Sequence, residues 1–169
     1  MTSRALDPIV WIDCEMTGLD SRRDALIEVA VIVTDSDLTP LGEGIDIVIA
    51  PPPGAVDGMN DLVRTMHTKS GLLEELSGGV SMEEATQRVL EYVRGFVPEG
   101  GKAPLAGNSV GTDKVFLERD MPELIEYLHY RIIDVSSIKE LARRWYPRAY
   151  FASPRQQGGH RALADIAES

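Results

Sequence analysis

Two apolar segments near the start of the chain, separated by turn-forming residues, constrain the fold more than any other feature. Residues 8–16 contain four consecutive apolar residues, Ile9 to Ile12, which two acidic residues soon follow. Residues 25–34 are almost continuously apolar and rich in β-branched side chains. Apolar runs of this length are typical of strands buried in a sheet. Residues 44–50 alternate enough to form a third strand, so the fold is predicted to open with an antiparallel meander.

Helices and short strands alternate in the rest of the predicted structure. Residues 51–54, three prolines and a glycine, end the third strand and begin an irregular stretch. A capping pattern at residues 81–84 predicts a helix over about 81–97. Strands followed by alternating helices and strands favour an α/β fold of three layers around a mixed sheet. The remaining predicted elements are strands at 104–107 and 130–134 and helices at 112–119, from Pro122, at 136–146 and from about Arg161.

Length and composition favour one cytoplasmic domain. With 169 residues, 43% of them hydrophobic, the chain can build a single core, so residues 1–169 are predicted to form one domain. The sole cysteine, Cys14, excludes an internal disulfide and is typical of a reducing cytoplasm. No apolar run approaches the roughly 20 residues that span a membrane. The sequence ends inside its last predicted helix without a stop signal, so we expect it to be shortened there.

The charge is unevenly distributed along the chain. A net charge of −10 argues against a nonspecific binder of long DNA or RNA, which normally presents a basic face. Between Lys139 and Arg161, however, six basic residues outnumber one acidic residue, so this segment carries +5 and the remainder −15. Two interpretations stay open: a solvated helix face with a loop, or a phosphate-facing patch beside an acidic site.

Asp13 and Glu15 are the first candidate metal ligands. Alternate residues of a strand point to the same face, so the two carboxylates are predicted to lie side by side. Two such charges about 4 Å apart repel by roughly 4 kcal/mol at an effective dielectric constant of about 20. A divalent cation would offset that repulsion. An ordinary exposed strand end is the other interpretation, because an isolated Asp-x-Glu sequence is common.

Asp113, His160 and Asp165 are further candidates. Asp113 is predicted to open a helix just after the fourth strand, where sites often collect, and a first-turn role is its alternative. His160 and Asp165 lie five residues apart, about 140° around a helix, so both cannot point at one site from mid-helix. We therefore expect His160 at the start of the last helix or in the loop before it. Gly158 and Gly159 favour a mobile loop there, and a structural or merely exposed histidine stays possible.

Three ordered motifs resemble those of the oligoribonucleases, which belong to a superfamily of 3′–5′ exonucleases with four acidic residues and a histidine. They are Trp11-Ile-Asp-Cys-Glu-Met-Thr-Gly-Leu-Asp20, Gly107-Asn-Ser-Val-Gly-Thr-Asp-Lys-Val-Phe-Leu117 and His160-Arg-Ala-Leu-Ala-Asp-Ile166. Residues 129–141 are also similar to the oligoribonucleases, and the broader superfamily does not share that stretch. The resemblance runs from about residue 9 to the end of the chain.

The resemblance implies a ribonuclease-H-like α/β fold, with a mixed central sheet flanked by helices, and hydrolysis with two divalent cations, Mg²⁺ or Mn²⁺. The implied ligands are Asp13, Glu15, Asp113 and Asp165, with Asp13 as the bridging residue. His160 would act as the general base, a task that suits imidazole. Nucleoside 5′-monophosphates would leave from the 3′ end. Two divalent cations would cancel the four ligand charges, so an acidic protein could bind the few phosphates of very short RNA.

The resemblance also assigns contacts to the substrate. Leu19 would wedge against the bases, and Tyr130 would stack on a base. In the family, Tyr130, Arg131 and Ser136 reach the site of the second subunit, so a homodimer is implied. A core role for Tyr130 and a surface role for His67 are the alternatives. A cap on the 5′ phosphate, which would favour dinucleotides, would be formed by His67, Ser109, Arg131 and Ser136.

Three functions stay open at this point. The first is an oligoribonuclease that acts on short single-stranded RNA, especially dinucleotides. The second is a broader 3′–5′ exonuclease that proofreads or trims longer substrates, and the third is a binding module that kept the fold. Residues 129–141 and the negative charge favour the first function over the second. The presence of all five predicted catalytic residues argues against the third.

Overall fold

A mixed five-stranded sheet forms the centre of the molecule. The structure is a computed structural model that describes residues 7–153 and 160–169. β1, β2 and β3 pair antiparallel, β4 and β5 run parallel to β1, and the order across the sheet is β3-β2-β1-β4-β5. The predicted meander and mixed sheet are confirmed. The strands are β1 (Ile9–Met16), β2 (Leu26–Thr34), β3 (Ile45–Val48), β4 (Pro104–Gly107) and β5 (His129–Asp134).

Eight α-helices lie within the described residues. The predicted helices over 81–97, 112–119 and 136–146 are confirmed to within two residues at each end. None of the described helices is long and apolar enough to cross a membrane. The helices are α1 (Asp61–Ser70), α2 (Leu72–Glu75), α3 (Met82–Phe96), α4 (Val110–Asp120), α5 (Pro122–Tyr127), α6 (Val135–Trp145), α7 (Pro147–Ala152) and α8 (Ala162–Ala167).

Three of these helices, α1, α2 and α7, lie where the sequence predicts none. The Asn60 side chain caps α1 by accepting a hydrogen bond from the Val63 amide at 2.9 Å, and Gly71 ends the helix at φ 81°. Only His67 of α1 is buried, so the helix has almost no apolar pattern to reveal it. Pro147 comes two residues after the end of α6. It also occupies the first turn of α7, where a backbone N–H would have no partner within the helix, so proline is tolerated there.

The main core lies on one face of the sheet, beneath α3, α4 and α5. Alternate residues of β1, including Val10 and Ile12, are fully buried there, together with Val89 and Leu90 of α3. This alternation follows from the two-residue period of a strand. The large apolar area removed from water on this face is the main source of stability.

A much smaller apolar cluster connects the opposite face of the sheet to α8. Ala30 of β2 packs there with Ala162 and Ile166 of α8. The partly buried Trp11, Ile32 and Leu163 pack against these residues. The cluster has fewer buried residues than the main core, so it contributes less to stability. The sheet therefore has helices on both faces, and the three predicted layers are present.

The register of β1 against β2 decides which side chains share the α8 face. Asp13 pairs with Ala30, and Glu15 pairs with Glu28. Residues directly opposite each other in an antiparallel pair point to the same face. Asp13, Glu15 and Glu28 consequently lie on the side of the sheet that α8 covers, while Cys14 packs into the main core.

Candidate active site

Asp113 reaches the acidic end of β1 because β4 stops early. β4 ends at Gly107 beside Ile12, and a β-carbon on Gly107 would lie 2.6 Å from the Ile12 carbonyl oxygen. Only glycine allows this close approach. Beyond that point, the Cys14 amide of β1 donates a hydrogen bond of 2.9 Å to Oδ1 of Asp113, in the first turn of α4. The buried Asp113 carboxylate is thereby held next to Asp13 and Glu15.

α8 brings His160 and Asp165 to the same place. Glu15, His160 and Asp165 each offer a metal-ligand atom, and these three atoms lie within 4.8 Å of one another. His160 precedes α8 and has φ 51°, whereas Asp165 lies in the helix. This break from helical geometry allows two residues five positions apart to face one site, as the sequence led us to expect. The predicted loop at 153–159 lies outside the described residues, apart from Ser153.

The electrostatics of this cluster favour a bound cation. Burial, followed by the charges of Asp113 and Glu15, raises the pKa of Asp13 to about 8. Burial, followed by the charges of Glu28 and Asp165, raises the pKa of Glu15 to about 8. Burial also raises the pKa of Asp113 to about 7, although the hydrogen bond from Cys14 opposes that rise.

Such carboxylates are costly to ionise together without a counter-charge. Oxygen donors are the ligands that hard divalent cations prefer, and His160 adds a nitrogen beside them. The donor set therefore fits divalent metal binding. The fold brings all five predicted catalytic residues to one end of the sheet.

His67 lies beneath this cluster rather than on the surface. Its ring is fully buried, and Nε2 donates a hydrogen bond of 2.8 Å to the carbonyl oxygen of Met16. Nδ1 lies 3.9 Å from Oε2 of Glu15 and has no hydrogen-bond partner among the described residues. Burial lowers the pKa of His67, which favours the neutral ring. In this conformation His67 is not accessible to a phosphate group.

Ser109 and Ser136 share one acceptor. Oδ1 of Asp134 accepts hydrogen bonds from the amides of Ser109 and Ser136, both at 2.9 Å, and from the Ser136 hydroxyl at 2.7 Å. Burial opposes ionisation of Asp134, but these hydrogen bonds outweigh it and lower the pKa. Ser109 has φ 54°, a left-handed conformation that few residues other than glycine adopt. The Asp134 carboxylate thus holds two predicted phosphate-binding residues together within one chain.

Leu19 projects from a braced loop between β1 and β2. The Asp24 carboxylate accepts a hydrogen bond from the Asp20 amide at 2.8 Å and another from the Thr17 hydroxyl at 3.3 Å. The amide of Thr17 donates to the carbonyl oxygen of Ala25 at 2.9 Å. Leu19 itself is one of the most exposed large apolar residues of the described chain. A fixed loop with an uncovered leucine suits contact with a flat apolar surface such as a base.

Tyr130 and Arg131 lie far from the acidic cluster of their own chain. Ile132 is level with Val10 through β4, Tyr130 lies two residues before Ile132, and Glu15 lies five residues beyond Val10. At about 3.3 Å per residue and about 4.8 Å per strand, Tyr130 and Glu15 are about 20 to 25 Å apart, the smaller value allowing for the irregularity between Pro104 and Leu105. The Tyr130 ring is 77% exposed, stacks on His129 at 4.5 Å and lies 5.5 Å from the Arg131 guanidinium.

Sequence comparison decides the family. The chain matches the exonuclease family model over residues 10–169. It is 68% identical over 163 residues to the oligoribonuclease of Streptomyces coelicolor and 67% identical over 163 residues to that of Streptomyces griseus. The alignments cover 96% of this chain and 82% and 81% of those proteins. The chain belongs to the oligoribonuclease family. The motif resemblance is confirmed, and this member of the family is an exonuclease.

Structural comparison confirms the fold of this oligoribonuclease-family chain. Exonuclease I from Methylocaldum szegediense superimposes with a TM-score of 0.67 at 19% sequence identity. The superposition covers 96% of this chain and 38% of that protein, so the chain spans about two fifths of its length. At this identity the likeness concerns the fold alone. It supports the predicted ribonuclease-H-like arrangement of a mixed sheet flanked by helices.

The basic segment of this oligoribonuclease-family chain is partly neutralised. Arg143 and Arg144 both pair with Glu140, at 2.9 and 3.0 Å. Arg161 pairs with Glu28 at 2.8 Å. Arg155 lies outside the described residues. Ion pairing of three of the six basic residues favours a solvated helix face over a continuous phosphate-binding patch.

Three residues that shape the site of this chain were not identified as site residues from the sequence: Glu28, Asp134 and Arg161. Glu28 is the one acidic residue inside the apolar segment 25–34, and a buried charge requires a partner. An acidic residue inside an apolar strand was therefore the sequence signal that could have identified Glu28. Asp134 sits two residues before Ser136, a spacing that allows a side chain to cap a helix start.

Proposed function

We propose that this chain is a 3′–5′ exoribonuclease that degrades very short RNA, especially dinucleotides, to nucleoside 5′-monophosphates. The observation that carries the proposal is the convergence of Glu15, His160 and Asp165 within 4.8 Å, next to the buried carboxylates of Asp13 and Asp113. Membership of the oligoribonuclease family supports it.

Four carboxylates would hold two divalent cations, Mg²⁺ or Mn²⁺: Asp13, Glu15, Asp113 and Asp165. When bound, the cations neutralise the carboxylates and stabilise the negative charge that develops on the phosphate. Asp13 would be the carboxylate that both cations share, a role supported by the charges of Asp113, Glu15 and Asp165, all of which raise its pKa.

His160 is the proposed general base. Its ring nitrogen accepts a proton from the attacking water as the new bond to phosphorus forms. The bond from phosphorus to the 3′ oxygen breaks, and the leaving 3′ oxygen takes up a proton from solvent water. The phosphate remains on the 5′ carbon of the released nucleotide. His160 precedes α8 next to Glu15, so it is placed beside the phosphate that the cluster would bind.

The exposed side chains would set the substrate length. Leu19 would separate and support the bases, and the hydroxyl of Ser109 would bind the 5′ phosphate from the end of β4. A filled phosphate cap leaves no space for a further nucleotide, which favours dinucleotides. His67 would join that cap only after a movement that exposes its buried ring.

A homodimer would supply the remaining contacts. Tyr130 is too distant from its own acidic cluster to stack on a base there, so we propose that Tyr130 and Arg131 reach the partner's site. The implied reach of Ser136 to the partner does not fit, because Asp134 holds Ser136 beside Ser109 of its own chain. Tyr130 and Arg131 lie on β5, which is an edge strand of the sheet. An apolar row on α6, namely Ile138, Leu141 and Trp145, is exposed at helical spacing and would be buried between subunits.

The test is cleavage of 5′-labelled RNA of two, three, five and ten nucleotides, with Mn²⁺ and with a chelator. We expect metal-dependent cleavage that is much faster on the dinucleotide, and loss of turnover in His160→Ala. Equal or faster cleavage of the longest RNA would indicate an open site and the broader exonuclease function. Cleavage that persists with the chelator would refute the metal-dependent mechanism.

A further inference from the structure

Arg161 connects the catalytic segment to two other parts of the fold. Its Nε donates a hydrogen bond of 2.8 Å to Oε1 of Glu28 on β2. Its two terminal nitrogens bind both oxygens of Glu75 on α2, at 2.8 and 3.0 Å. Such paired contacts fix the direction of the planar guanidinium as well as its distance. A weaker contact of 3.8 Å links it to Asp46.

Glu28 uses its second oxygen to cap α8. Oε2 accepts a hydrogen bond of 3.1 Å from the amide of Ala162, the first residue of the helix. Arg161 occupies the N-cap position, and its side chain makes no capping bond. Glu28 therefore replaces the usual capping side chain from across the sheet. The Glu28 side chain is fully buried, so losing either partner would leave an uncompensated charge.

These contacts lie between two proposed catalytic residues. His160 directly precedes Arg161, and the amide of Asp165 donates a hydrogen bond of 3.1 Å to the carbonyl oxygen of Arg161. The buried apolar contact of α8 with the sheet consists of Ala30, Ala162 and Ile166, and the partly buried Trp11, Ile32 and Leu163 pack against it. Apolar contact is non-directional, so the ionic contacts add a fixed direction to this segment.

We propose that Arg161, Glu28 and Glu75 form a latch that holds His160 and Asp165 against Glu15 in the catalytic geometry. Arg161 acts here as a positioning residue, because its side chain is committed to the carboxylates of Glu28 and Glu75. The inference rests on the proposed role of His160. Releasing the latch lowers kcat and leaves KM for the dinucleotide nearly unchanged, since the latch does not bind RNA.

Glu75→Gln is the most informative variant, because Glu75 is half exposed and, among residues 160–169, its hydrogen bonds are to Arg161. We expect kcat to fall about 3- to 10-fold in Glu75→Gln and about 100-fold in Arg161→Gln, the scale of a misplacement of about 1 Å. Arg161→Lys, which keeps the charge and loses the fork, should recover part of the loss. The matched control is Arg88→Gln, which removes an exposed arginine paired with Glu84 on α3 and should leave kcat within about twofold.

Two further measurements separate a latch from a general loss of stability. In the double variant Arg161→Gln/Glu75→Gln, kcat should equal that of Arg161→Gln alone, because Glu75 acts only through Arg161. Amide hydrogen exchange over residues 162–166 should accelerate in Glu75→Gln, while the amides of β1 stay protected. Additive effects on kcat, or a rise in KM at unchanged kcat, would overturn the latch.

The exchange measurement also keeps the two proposals distinguishable. If the wild-type protein cleaves no RNA at any length, the proposed function fails, and exchange over residues 162–166 still tests the latch. If the wild-type protein cleaves dinucleotides while exchange and kcat are the same in Glu75→Gln and Arg88→Gln, the latch fails and the proposed function stands.

Discussion

Without a divalent cation, the carboxylate cluster should make the protein less stable as the pH rises. In the unfolded chain, Asp13, Glu15 and Asp113 ionise near pH values of about 4. In the folded protein their pKa values rise to about 8, about 8 and about 7. Between those pH values the folded state binds more protons than the unfolded state, so the free energy of unfolding falls with rising pH. The favourable contribution is complete at about pH 4 and lost above about pH 8.

Asp113 sets the size of the effect, because the residue is only 6% exposed. A rise in pKa from 3.8 to about 7 corresponds to about 4 kcal/mol of unfolding free energy. The three acids repel one another and share this cost, so we take about 4 kcal/mol as the scale for the whole cluster. In a domain of this length that corresponds to a change in melting temperature of about 10 °C. Bound divalent cations should offset most of it.

The assay is thermal unfolding with Mg²⁺ or with a chelator, at about pH 5 and at about pH 8. We expect little effect of Mg²⁺ at the lower pH and a stabilisation of about 10 °C at the higher pH. Asp113→Asn is the control, since it should raise the metal-free melting temperature at the higher pH and weaken the response to Mg²⁺. The reasoning is refuted if Asp113→Asn is no more stable than the wild type without metal, or if Mg²⁺ stabilises equally at both pH values.

Three further predictions concern substrate stacking, the dimer and the core. Tyr130→Ala should weaken dinucleotide binding by about 10-fold or more with unchanged dimer mass, as loss of one base stack costs about 1–3 kcal/mol; equal affinity by calorimetry would exclude stacking. Trp145, which is 65% exposed in one chain, should lie in the dimer, so Trp145→Ala should shift sedimentation towards the monomer; unchanged dimerisation would place the interface elsewhere. Leu90→Ala should cost about 2–5 kcal/mol in urea unfolding, because Leu90 is fully buried in the main core; a loss well below that range would contradict tight packing there.

Local sequence patterns explain the parts of the fold that the sequence predicts correctly. β1 and β2 have the apolar runs of buried strands, and α3 has both a capping pattern and an apolar face. α1 was missed because His67 is its only buried residue, so its caps at Asn60 and Gly71 had no periodic pattern to support them. A short helix with one buried side chain depends on tertiary contacts more than on its own sequence.

The candidate site shows the same contrast between local sequence patterns and long-range contacts. The positions of Asp13 and Glu15 on one face come from strand periodicity alone. The partnership of Glu28 with Arg161 spans 133 residues and has no local signal beyond a charge inside an apolar strand. The burial of His67 likewise depends on contact with Met16, 51 residues away. Sequence patterns thus indicate which residues carry the chemistry, and long-range contacts decide how these residues are oriented.

The pairing of Glu15 with Glu28 has a consequence for how the chain avoids misfolding. A slip of β1 by one residue against β2 would turn Asp13 and Glu15 from the α8 face into the main core. Unpaired carboxylates in that apolar core would cost several kcal/mol each. The acids that we propose as metal ligands therefore also reject the wrong strand alignment. A chain with alanine at both positions would be inactive, and it would also align its first two strands less selectively.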